Sequence, residues 1–203
     1  ALDPVRYISN NSSGKMGYAL AQAAVDAGAK TTLISGPVNL DTPPHVTRID
    51  VQSADQMLEQ CEQACSGSDI FIACAAVADY RPAHTQQQKI KKGPEHMSIE
   101  MVRNADIVAT IANSDSAPFT VGFAAETNDV VSYAREKMLR KQLDMIVSND
   151  VSGSNIGFNS DNNEVTVIWP GGERALALSS KASIARQIIA LIADQITAAS
   201  RQN

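Results

Sequence analysis

The first residues suited to chemistry lie within residues 3–17, a run of small and polar residues that leads directly into a predicted helix. Two hydroxyls, a glycine and a cation follow one another there, as Ser12, Ser13, Gly14 and Lys15. Such groups, with free backbone N–H groups at a helix N-terminus, bind anions, whereas an ordinary serine cap is the alternative. The run lacks the glycine spacing of a P-loop and of a dinucleotide fingerprint.

A second candidate site follows the apolar run at residues 70–76. Ala75 and Ala76 place very small side chains where a parallel strand would reach a ligand crevice, so a ligand could approach the backbone. Asp79 comes three residues later and could accept a hydrogen bond from a ribose hydroxyl or support a metal ion. The competing interpretation is that Asp79 caps a turn. The sequence therefore predicts a ligand crevice at the end of this strand.

A pair of lysines forms the third candidate site. Lys137 and Lys141 are four residues apart and share one face of a predicted helix, where like charges repel by roughly 0.2–0.5 kcal/mol unless an anion lies between them. A solvated helix face is the alternative interpretation. The preceding segment 122–128 contains Phe123, which would place an aromatic ring at a strand's carboxyl end beside the two lysines. That combination could bind a base and a polyphosphate together.

Hydrophobic periodicity predicts the elements that would position these residues. The predicted helices are residues 12–27, a helix capped by Ser53, a short helix from Asp106 to Ala112, a helix starting at Asn128, and a last helix with Ile184, Ile188, Leu191 and Ile192 on one face. The predicted strands are residues 31–34, 46–51, 70–76, 99–102, 119–123, 143–147, 165–169 and 174–178. Residues 81–96 have no periodicity and are predicted to form a mobile loop.

Strands and helices alternate along most of this chain, which predicts an α/β protein with a Rossmann-like layered fold. Its sheet is expected to be mostly parallel, with helices on both faces. The unbroken apolar run 70–76 favours a central strand that is buried on both faces. Residues 165–178 are predicted to form an antiparallel hairpin near the C-terminus, whose edge could pair with a second subunit. We interpret residues 1–203 as a single domain.

The bulk composition excludes several classes of partner. A net charge of −5 and a pI of about 5.1 argue against a nucleic-acid surface or an anionic membrane surface, because both need a dominant basic field. No apolar run is long enough to predict a membrane span. Cys61, Cys65 and Cys74 are an odd number without a signal-like leader, which favours a reduced cytoplasmic protein. Cys61 and Cys65 could be half of a metal site, but core packing is the favoured interpretation.

Taken together, these segments resemble one family. The motifs are DPVRYISNNSSGKMG, AAVADYRP with KIKK shortly after it, VGFAAETN followed by REKMLRK, and SNDV leading to GFNSDNN. They resemble, in order, the bacterial phosphopantothenoylcysteine synthetases, the ligase half of a bifunctional protein in which a flavin-dependent decarboxylase precedes the synthetase. The resemblance extends from Asp3 to about Trp169, and it implies a CTP-dependent ligase of coenzyme A biosynthesis.

The resemblance also implies roles for particular residues. Asn10 would handle an acyl-cytidylate intermediate, and Lys89 would lie on a flexible loop that closes over the site. The residues implied in CTP binding are Asp79, Ala105, Asp106, Ile107, Val108, Phe123, Lys137 and Lys141. The residues expected to line the ligand crevice are Ala75, Ala76, Ser12, Ser13 and Gly14. Of these positions, only Ala105 to Val108 rest on the resemblance alone.

The implied chemistry has two steps. The carboxylate of 4′-phosphopantothenate attacks the α-phosphate of CTP and releases pyrophosphate, and the amine of L-cysteine then attacks the acyl-cytidylate. Lysines and Mg²⁺ are the expected stabilisers of the charge on the phosphoryl oxygens. No protein nucleophile is needed, so Cys74 receives no role, and no flavin is expected in this half. The metal ligands stay unassigned.

The resemblance further implies a homodimer and a first strand, ahead of the DPVR segment, that this chain lacks. Two other functions compete with the ligase. One is a nicotinamide- or flavin-dependent oxidoreductase on the same architecture, since a fold does not fix a function. The other is a non-enzymatic nucleotide-binding module, which would bind its ligand without releasing pyrophosphate.

Overall fold

The computed structural model of the chain describes residues 1–93, 95–126, 129–150 and 160–200. Its elements in chain order are α1 (Lys15–Asp26), β1 (Thr32–Ser35), β2 (Thr47–Asp50), α2 (Ala54–Cys65), β3 (Ile70–Ala73), β4 (Tyr80–Pro82), β5 (Met101–Arg103), α3 (Ile107–Ala112), β6 (Phe119–Glu126), α4 (Val130–Lys141), β7 (Met145–Asp150), β8 (Asn162–Trp169), β9 (Gly172–Ser180) and α5 (Lys181–Ser200). The predicted alternation of strands and helices is confirmed.

The main sheet has five strands in the order β3-β6-β7-β8-β9. The first three run parallel, and β8 and β9 are antiparallel to their neighbours. The strands β8 and β9 form the predicted C-terminal hairpin, and Gly171 has the positive φ of 87° that its tight turn requires. The α/β class and the mostly parallel sheet with an antiparallel hairpin are therefore confirmed.

Helices cover both faces of this sheet because alternate side chains of each strand point to opposite sides. Val147 of β7 and Val167 of β8 pack with Ile188 of α5 in a cluster that also includes α1. Ile146, the residue before Val147, lies on the other face in a cluster with Met138 of α4. All five side chains are almost completely buried, so β7 forms the centre of the core.

The prediction that residues 70–76 form a central strand is wrong. The strand β3 is only Ile70–Ala73 and lies at the edge of the five-stranded sheet, paired with β6 alone. Ile70 is 39% exposed. A separate parallel pair, β1 and β2, shares an apolar cluster with β3 through Ile34, Phe71 and Met57 of α2, but no ladder joins it to β3. An apolar run thus identified a strand without identifying its place in the sheet.

The predicted loop at residues 81–96 is partly a strand. Tyr80–Pro82 form β4, which pairs antiparallel with β5 at Met101–Arg103, two residues later than the strand predicted at 99–102. Three residue pairs are too few to show periodicity, which explains why the sequence did not reveal them. Between β4 and β5, the described residues form no helix or strand.

Most predicted helix ends are confirmed. Ser53 caps α2 by accepting a hydrogen bond from the Gln56 N–H, and Asp106 caps α3 through the Ala109 N–H. Gly28 follows α1 with a φ of 90°, as a C-terminal glycine should. The predicted start of α4 at Asn128 lies outside the described residues.

The cysteines are all free, and Cys61 packs in the apolar cluster beneath α2, as predicted. Burial raises the pKa of the Cys61 thiol to about 12, with Cys65 and Glu62 adding to the shift. Among the helices that the structure describes, none has both the length and the apolar composition needed to cross a membrane.

Candidate functional site

Asn10 contacts the segment that follows β3. Its Nδ2 donates a hydrogen bond of 3.2 Å to the Val77 carbonyl oxygen. The segment that contains Ala75, Ala76 and Asp79 therefore lies beside Asn10, at the carboxyl end of a parallel strand. Ligand crevices of open α/β sheets form at this edge.

Asn104 links the same segment to the start of α3. Its backbone N–H donates to the Asp79 carbonyl at 2.8 Å, and its side-chain Nδ2 donates to the Ala78 carbonyl at 2.7 Å. The residues that follow Asn104 are the Ala105 to Val108 segment. Asn104 was absent from the predicted site, because an asparagine after a short strand carries no pattern of its own.

Asp106 and Lys141 connect α3 to α4. The Lys141 Nζ lies 2.7 Å from the Asp106 Oδ2, and the lysine side chain is only 16% exposed. Partial burial favours a higher pKa for Asp106. Hydrogen bonds from Lys141 and from the Ala109 N–H, with the charges of Lys141 and Lys137, outweigh that effect and hold the pKa below its ordinary value. The structure thus brings together Asp106, Lys137 and Lys141.

Ile107 and Val108 have side chains that pack into the core. Ile107 lies in the cluster beneath α2, and Val108 packs against the cluster of α4. A ligand at the Ala105 to Val108 segment would therefore meet its backbone, because these two side chains are already occupied with packing.

The loop that carries Lys89 is held by the N-terminal segment. Asp3 accepts hydrogen bonds from the Val5 and Arg6 N–H groups, from the Arg6 guanidinium and from the Ile90 N–H. Arg6 also donates to the Ile90 carbonyl at 2.9 Å. Both backbone groups of the residue after Lys89 are therefore fixed, while the Lys89 side chain stays exposed.

A basic cavity lies beside this anchor. It has a volume of about 670 Å³, and it is lined by Arg6, Lys89, Ile90, Lys91, Lys92, Gly93 and Met97. Three of these residues are lysines, so the cavity suits an anionic group despite the acidic composition of the whole chain.

The N-terminus of α1 does not have the serine cap that was the alternative to an anion site. Gly14 is the N-cap residue, with a φ of 75° and no side-chain cap hydrogen bond. The Ser12 hydroxyl instead accepts from the Gly14 N–H at 3.3 Å, and the Ser13 hydroxyl accepts from the Lys15 N–H at 3.5 Å. A Cβ at Gly14 would lie 3.0 Å from Val38, so the site needs glycine for space and for conformation.

Lys15 pairs with Asp161 at 2.6 Å, beside a cavity of about 410 Å³ that Lys181 also lines. The hydrogen bond and the charge of Lys15 lower the pKa of Asp161. Burial and the charge of Lys15 lower the pKa of Lys181, whose Nζ donates to the Ser160 carbonyl.

Phe123 does not lie beside the two lysines as expected. Its ring packs partly buried against the cluster of α1 and α5, whereas the next residue, Ala124, faces the cluster of α4. Since successive side chains of a strand point to opposite faces, Phe123 and the lysines of α4 lie on different sides of the sheet. The strand was predicted correctly, but not the face on which the ring lies.

The described residues offer no ready-made metal site. Within them, no group of three or more His, Cys, Asp or Glu side chains is close enough to hold a metal ion. A Mg²⁺ ion at Asp79 would need phosphate oxygens and water as its other ligands, the usual arrangement of magnesium in nucleotide sites. Burial raises the pKa of Cys74 to about 12, so its thiol is not an activated nucleophile.

The contacts form two groups. They join Lys89 through Ile90 to Asp3 and Arg6, and they join Asn10 through the Val77 to Asp79 segment and Asn104 to Asp106 and Lys141. Fold and contacts together define an α/β protein with a polar, partly basic candidate site that begins at the carboxyl end of β3. Residues 1–196 match the family described as the DNA/pantothenate metabolism flavoprotein C-terminal domain, and the chain belongs to that family.

Individual relatives agree with this assignment. The chain is 57% identical over 192 residues to the coenzyme A biosynthesis bifunctional protein CoaBC of Vibrio vulnificus (strain YJ016). That match covers 93% of this chain and 48% of the relative, so the chain spans about half the length of the curated relatives it matches.

Solved structures show the same fold. A crystal structure of the C-terminal domain of CoaBC superimposes with a TM-score of 0.81 at 38% identity, covering 98% of this chain and 90% of the other. A Cab2 mutant in complex with phosphopantothenate-cysteine superimposes with a TM-score of 0.71 at 14% identity, covering 97% and 83% of the two chains. The resemblance found in the sequence motifs is therefore confirmed for the family.

Proposed function

We propose that the chain is a phosphopantothenate–cysteine ligase of coenzyme A biosynthesis that uses CTP. The observation that carries this proposal is the path of contacts from Asn10 through the Val77 to Asp79 segment and Asn104 to Asp106 and Lys141. It connects an uncharged hydrogen-bond donor, an exposed carboxylate and a cationic helix face, which are the groups that an acyl-nucleotide reaction needs. The naming of the relatives after coenzyme A biosynthesis supports the proposal.

In the first step, a carboxylate oxygen of 4′-phosphopantothenate attacks the α-phosphorus of CTP. The bond from that phosphorus to the bridging oxygen breaks, and pyrophosphate leaves with the electron pair. Lys137 and Lys141 on α4 would neutralise the charge of the triphosphate, and Asp79 would hold the ribose or the magnesium-bound phosphate. Mg²⁺ enters with CTP as part of the substrate, because phosphate oxygens supply most of its ligands.

In the second step, the amine of L-cysteine attacks the acyl carbon of the acyl-cytidylate. The bond from that carbon to the phosphate oxygen breaks, CMP leaves, and the amine gives its proton to solvent. Asn10 donates to the carbonyl oxygen on which negative charge develops, and its amide does so without titrating. Lys89 closes over the substrate, and the basic cavity beside it suits the phosphate of 4′-phosphopantothenate.

The decisive experiment follows pyrophosphate and acyl-nucleotide with Mg²⁺, 4′-phosphopantothenate and either CTP or ATP, with and without L-cysteine. We expect pyrophosphate release that prefers CTP, and amide product only when cysteine is present. The measurement is made on this chain and on a version with one further strand at its start. If neither version releases pyrophosphate, the ligase function is contradicted. If only the longer version releases it, the added strand is needed for activity.

The same preparation tests the two competing functions. Flavin or nicotinamide absorbance that co-purifies with the chain would favour an oxidoreductase. Saturable CTP binding without pyrophosphate release would favour a nucleotide-binding module. We expect neither, because neither function uses Asn10, Lys89 and the lysines of α4 together.

The whole protein is proposed to be cytoplasmic, to carry a flavin-dependent decarboxylase in its other half, and to act as a homodimer. The strand β9 lies at the opposite edge of the main sheet from β3 and is the proposed pairing surface. Light scattering after gel filtration should give twice the 21.6 kDa of one chain, and a monomeric mass at micromolar concentration would contradict the dimer.

A further inference from the structure

Three consecutive backbone carbonyls after β3 each accept a hydrogen bond from an asparagine. Asn10 Nδ2 donates to Val77 at 3.2 Å, Asn104 Nδ2 donates to Ala78 at 2.7 Å, and the Asn104 N–H donates to Asp79 at 2.8 Å. The segment is not part of a helix or strand up to Asp79. Its position therefore depends on these bonds, two of which come from Asn104.

The other side of the Asn104 amide is also engaged. Its Oδ1 accepts a hydrogen bond of 2.8 Å from Arg81, and Arg81 contacts the Arg103 carbonyl at 3.3 Å and Asp55 of α2 at 3.6 Å. A guanidinium only donates and a carbonyl only accepts. The amide oxygen of Asn104 must therefore face Arg81, and its amide nitrogen must face the Ala78 carbonyl. Asparagine can both accept from Arg81 and donate to the Ala78 carbonyl, whereas an aspartate carboxylate has no hydrogen to donate.

Asn104 also lies next to the segment that leads into α3. Ala105 follows it directly, and Asp106 comes next, paired with Lys141. The Asn104 side chain thus holds the Asp79 segment against the start of α3. The strands β4 and β5 add only three residue pairs to this region.

We propose that Asn104 is a positioning residue of the nucleotide site, which holds Asp79 and Asn10 in register with Asp106 and Lys141. The inference rests on the proposed ligase function. In the proposed reaction, Asn104 does not touch the reacting atoms. It acts through the Ala78 and Asp79 carbonyls, so its loss should weaken nucleotide binding without weakening the binding of cysteine.

The test is the Asn104→Asp variant, which keeps size and the acceptor for Arg81 but loses the donor to Ala78. We expect its KM for CTP to rise about tenfold, the loss that one partly buried hydrogen bond of this kind produces. The KM for cysteine should stay within twofold. Hydrogen exchange should quicken at residues 77–80 and 104–106, with the α5 amides unchanged. The matched control is Gln187→Glu, the same change of amide to carboxylate on the exposed face of α5.

Three results would overturn the role of Asn104. They are an unchanged KM for CTP in Asn104→Asp, a lower melting temperature with unchanged kinetics, and equal increases in the KM values for CTP and cysteine. If Asn104→Asp does not fold, Arg81→Gln removes the cation that faces the amide oxygen, together with its contacts to the Arg103 carbonyl and Asp55. An unchanged KM for CTP in that variant also contradicts the proposal. A wild-type chain that releases no pyrophosphate contradicts the proposed function itself, whereas an active wild type with an unaffected Asn104→Asp contradicts only this inference.

Discussion

Lys141 is a residue whose surroundings explain its predicted role. Its charge is largely enclosed, and the Asp106 carboxylate lies 2.7 Å from its Nζ. A lysine held this way has a restricted side-chain conformation, unlike a lysine on a solvated face. It can therefore bind a phosphate with a smaller loss of side-chain conformational entropy. The solvated interpretation therefore does not describe Lys141, whereas phosphate binding by the lysine pair stays a prediction.

Replacing Lys141 with Met should raise the Kd for Mg·CTP by at least tenfold, because one charge-assisted contact of about 1.5–3 kcal/mol is lost. The pKa of Asp106 should also move up toward its ordinary value, since Lys141 is a principal cause of its lowering. Calorimetry measures the Kd, and carbon NMR of the carboxyl measures the pKa. Lys30→Met, on an exposed position, is the control and should change neither. An unmoved Asp106 pKa would contradict the ion pair.

Gly122 is required for packing. A Cβ at this position in β6 would lie 2.6 Å from Leu143 Cδ1. Gly122→Ala should therefore destabilise the fold by about 1–3 kcal/mol, as overpacking does in a filled core. Urea denaturation measures the change. Gly17→Ala is the matched control, because Gly17 has free space around it in α1 and alanine favours a helix by roughly 1 kcal/mol. Equal stability of the two variants would contradict the prediction.

At the scale of elements, the loop that carries Lys89 depends on the N-terminal segment. Asp3 is 2% exposed and, with Arg6, engages both the N–H and the carbonyl of Ile90. The loop is additionally held where Thr85 Oγ1 donates to the Ala1 carbonyl and the Gln86 N–H donates to Leu2. A loop predicted to be mobile is thus anchored at its centre by a distant element, which fixes the starting position of Lys89.

Asp3→Asn should release this anchor. The variant removes the charge that holds Arg6, so trypsin should cut after Lys89, Lys91 and Lys92 several-fold faster than in the wild type, because local opening becomes easier. Mass spectrometry of timed digests measures the rates. Asp194→Asn, exposed on α5, serves as the control. Unchanged cleavage in the Asp3 variant would show that the loop does not depend on the anchor.

The same anchor predicts a pH dependence. The Arg6 hydrogen bond lowers the pKa of Asp3, burial opposes it, and backbone N–H groups of Val5, Ile90 and Arg6 lower it further. Because the folded pKa lies below the unfolded one, the carboxylate stabilises the fold above about pH 4, and this contribution is lost as the pH falls toward the folded pKa. Urea denaturation between pH 7 and pH 2.5 should show falling stability, with a flatter curve for Asp3→Asn. A parallel curve would contradict this origin.

At the scale of the whole molecule, the stability lies in the five-stranded sheet and the helices on its faces. Most of the described residues without exposure lie on β7, β8 and α5, among them Val147, Val167 and Ile188. The pair β1 and β2 instead joins the rest through side chains beneath α2. The candidate site therefore depends on the packing of the main sheet.

Ile188→Ala should cost about 2–5 kcal/mol of unfolding free energy, the range for a fully buried aliphatic side chain. Ile70→Ala is the matched change at the sheet edge, where the side chain is 39% exposed, and should cost clearly less. Chemical denaturation of both variants gives the comparison. Similar losses would mean that β3 is buried in solution and that the edge position is incorrect.

The sequence by itself determined the kinds of element and many of their ends. Helical spacing identified α1 and α5, Ser53 and Asp106 identified helix starts, and the two short strands at residues 165–169 and 174–178 identified the hairpin. These signals are local, because capping and periodicity depend on neighbours within one or two turns of chain. The ordered motifs identified the family in the same way, since they are runs of adjacent residues.

Only the tertiary structure decided which strand lies at the edge, on which side of the sheet Phe123 packs, and which groups meet. The contact of Asp3 with Ile90 joins residues 87 positions apart, and that of Asn104 with Ala78 joins residues 26 apart. Nothing in either local sequence specifies its partner, because such pairs form only when packing of the sheet and helices brings the segments together. The residue types indicated the chemistry, whereas the packing of the buried core set how those residues are arranged.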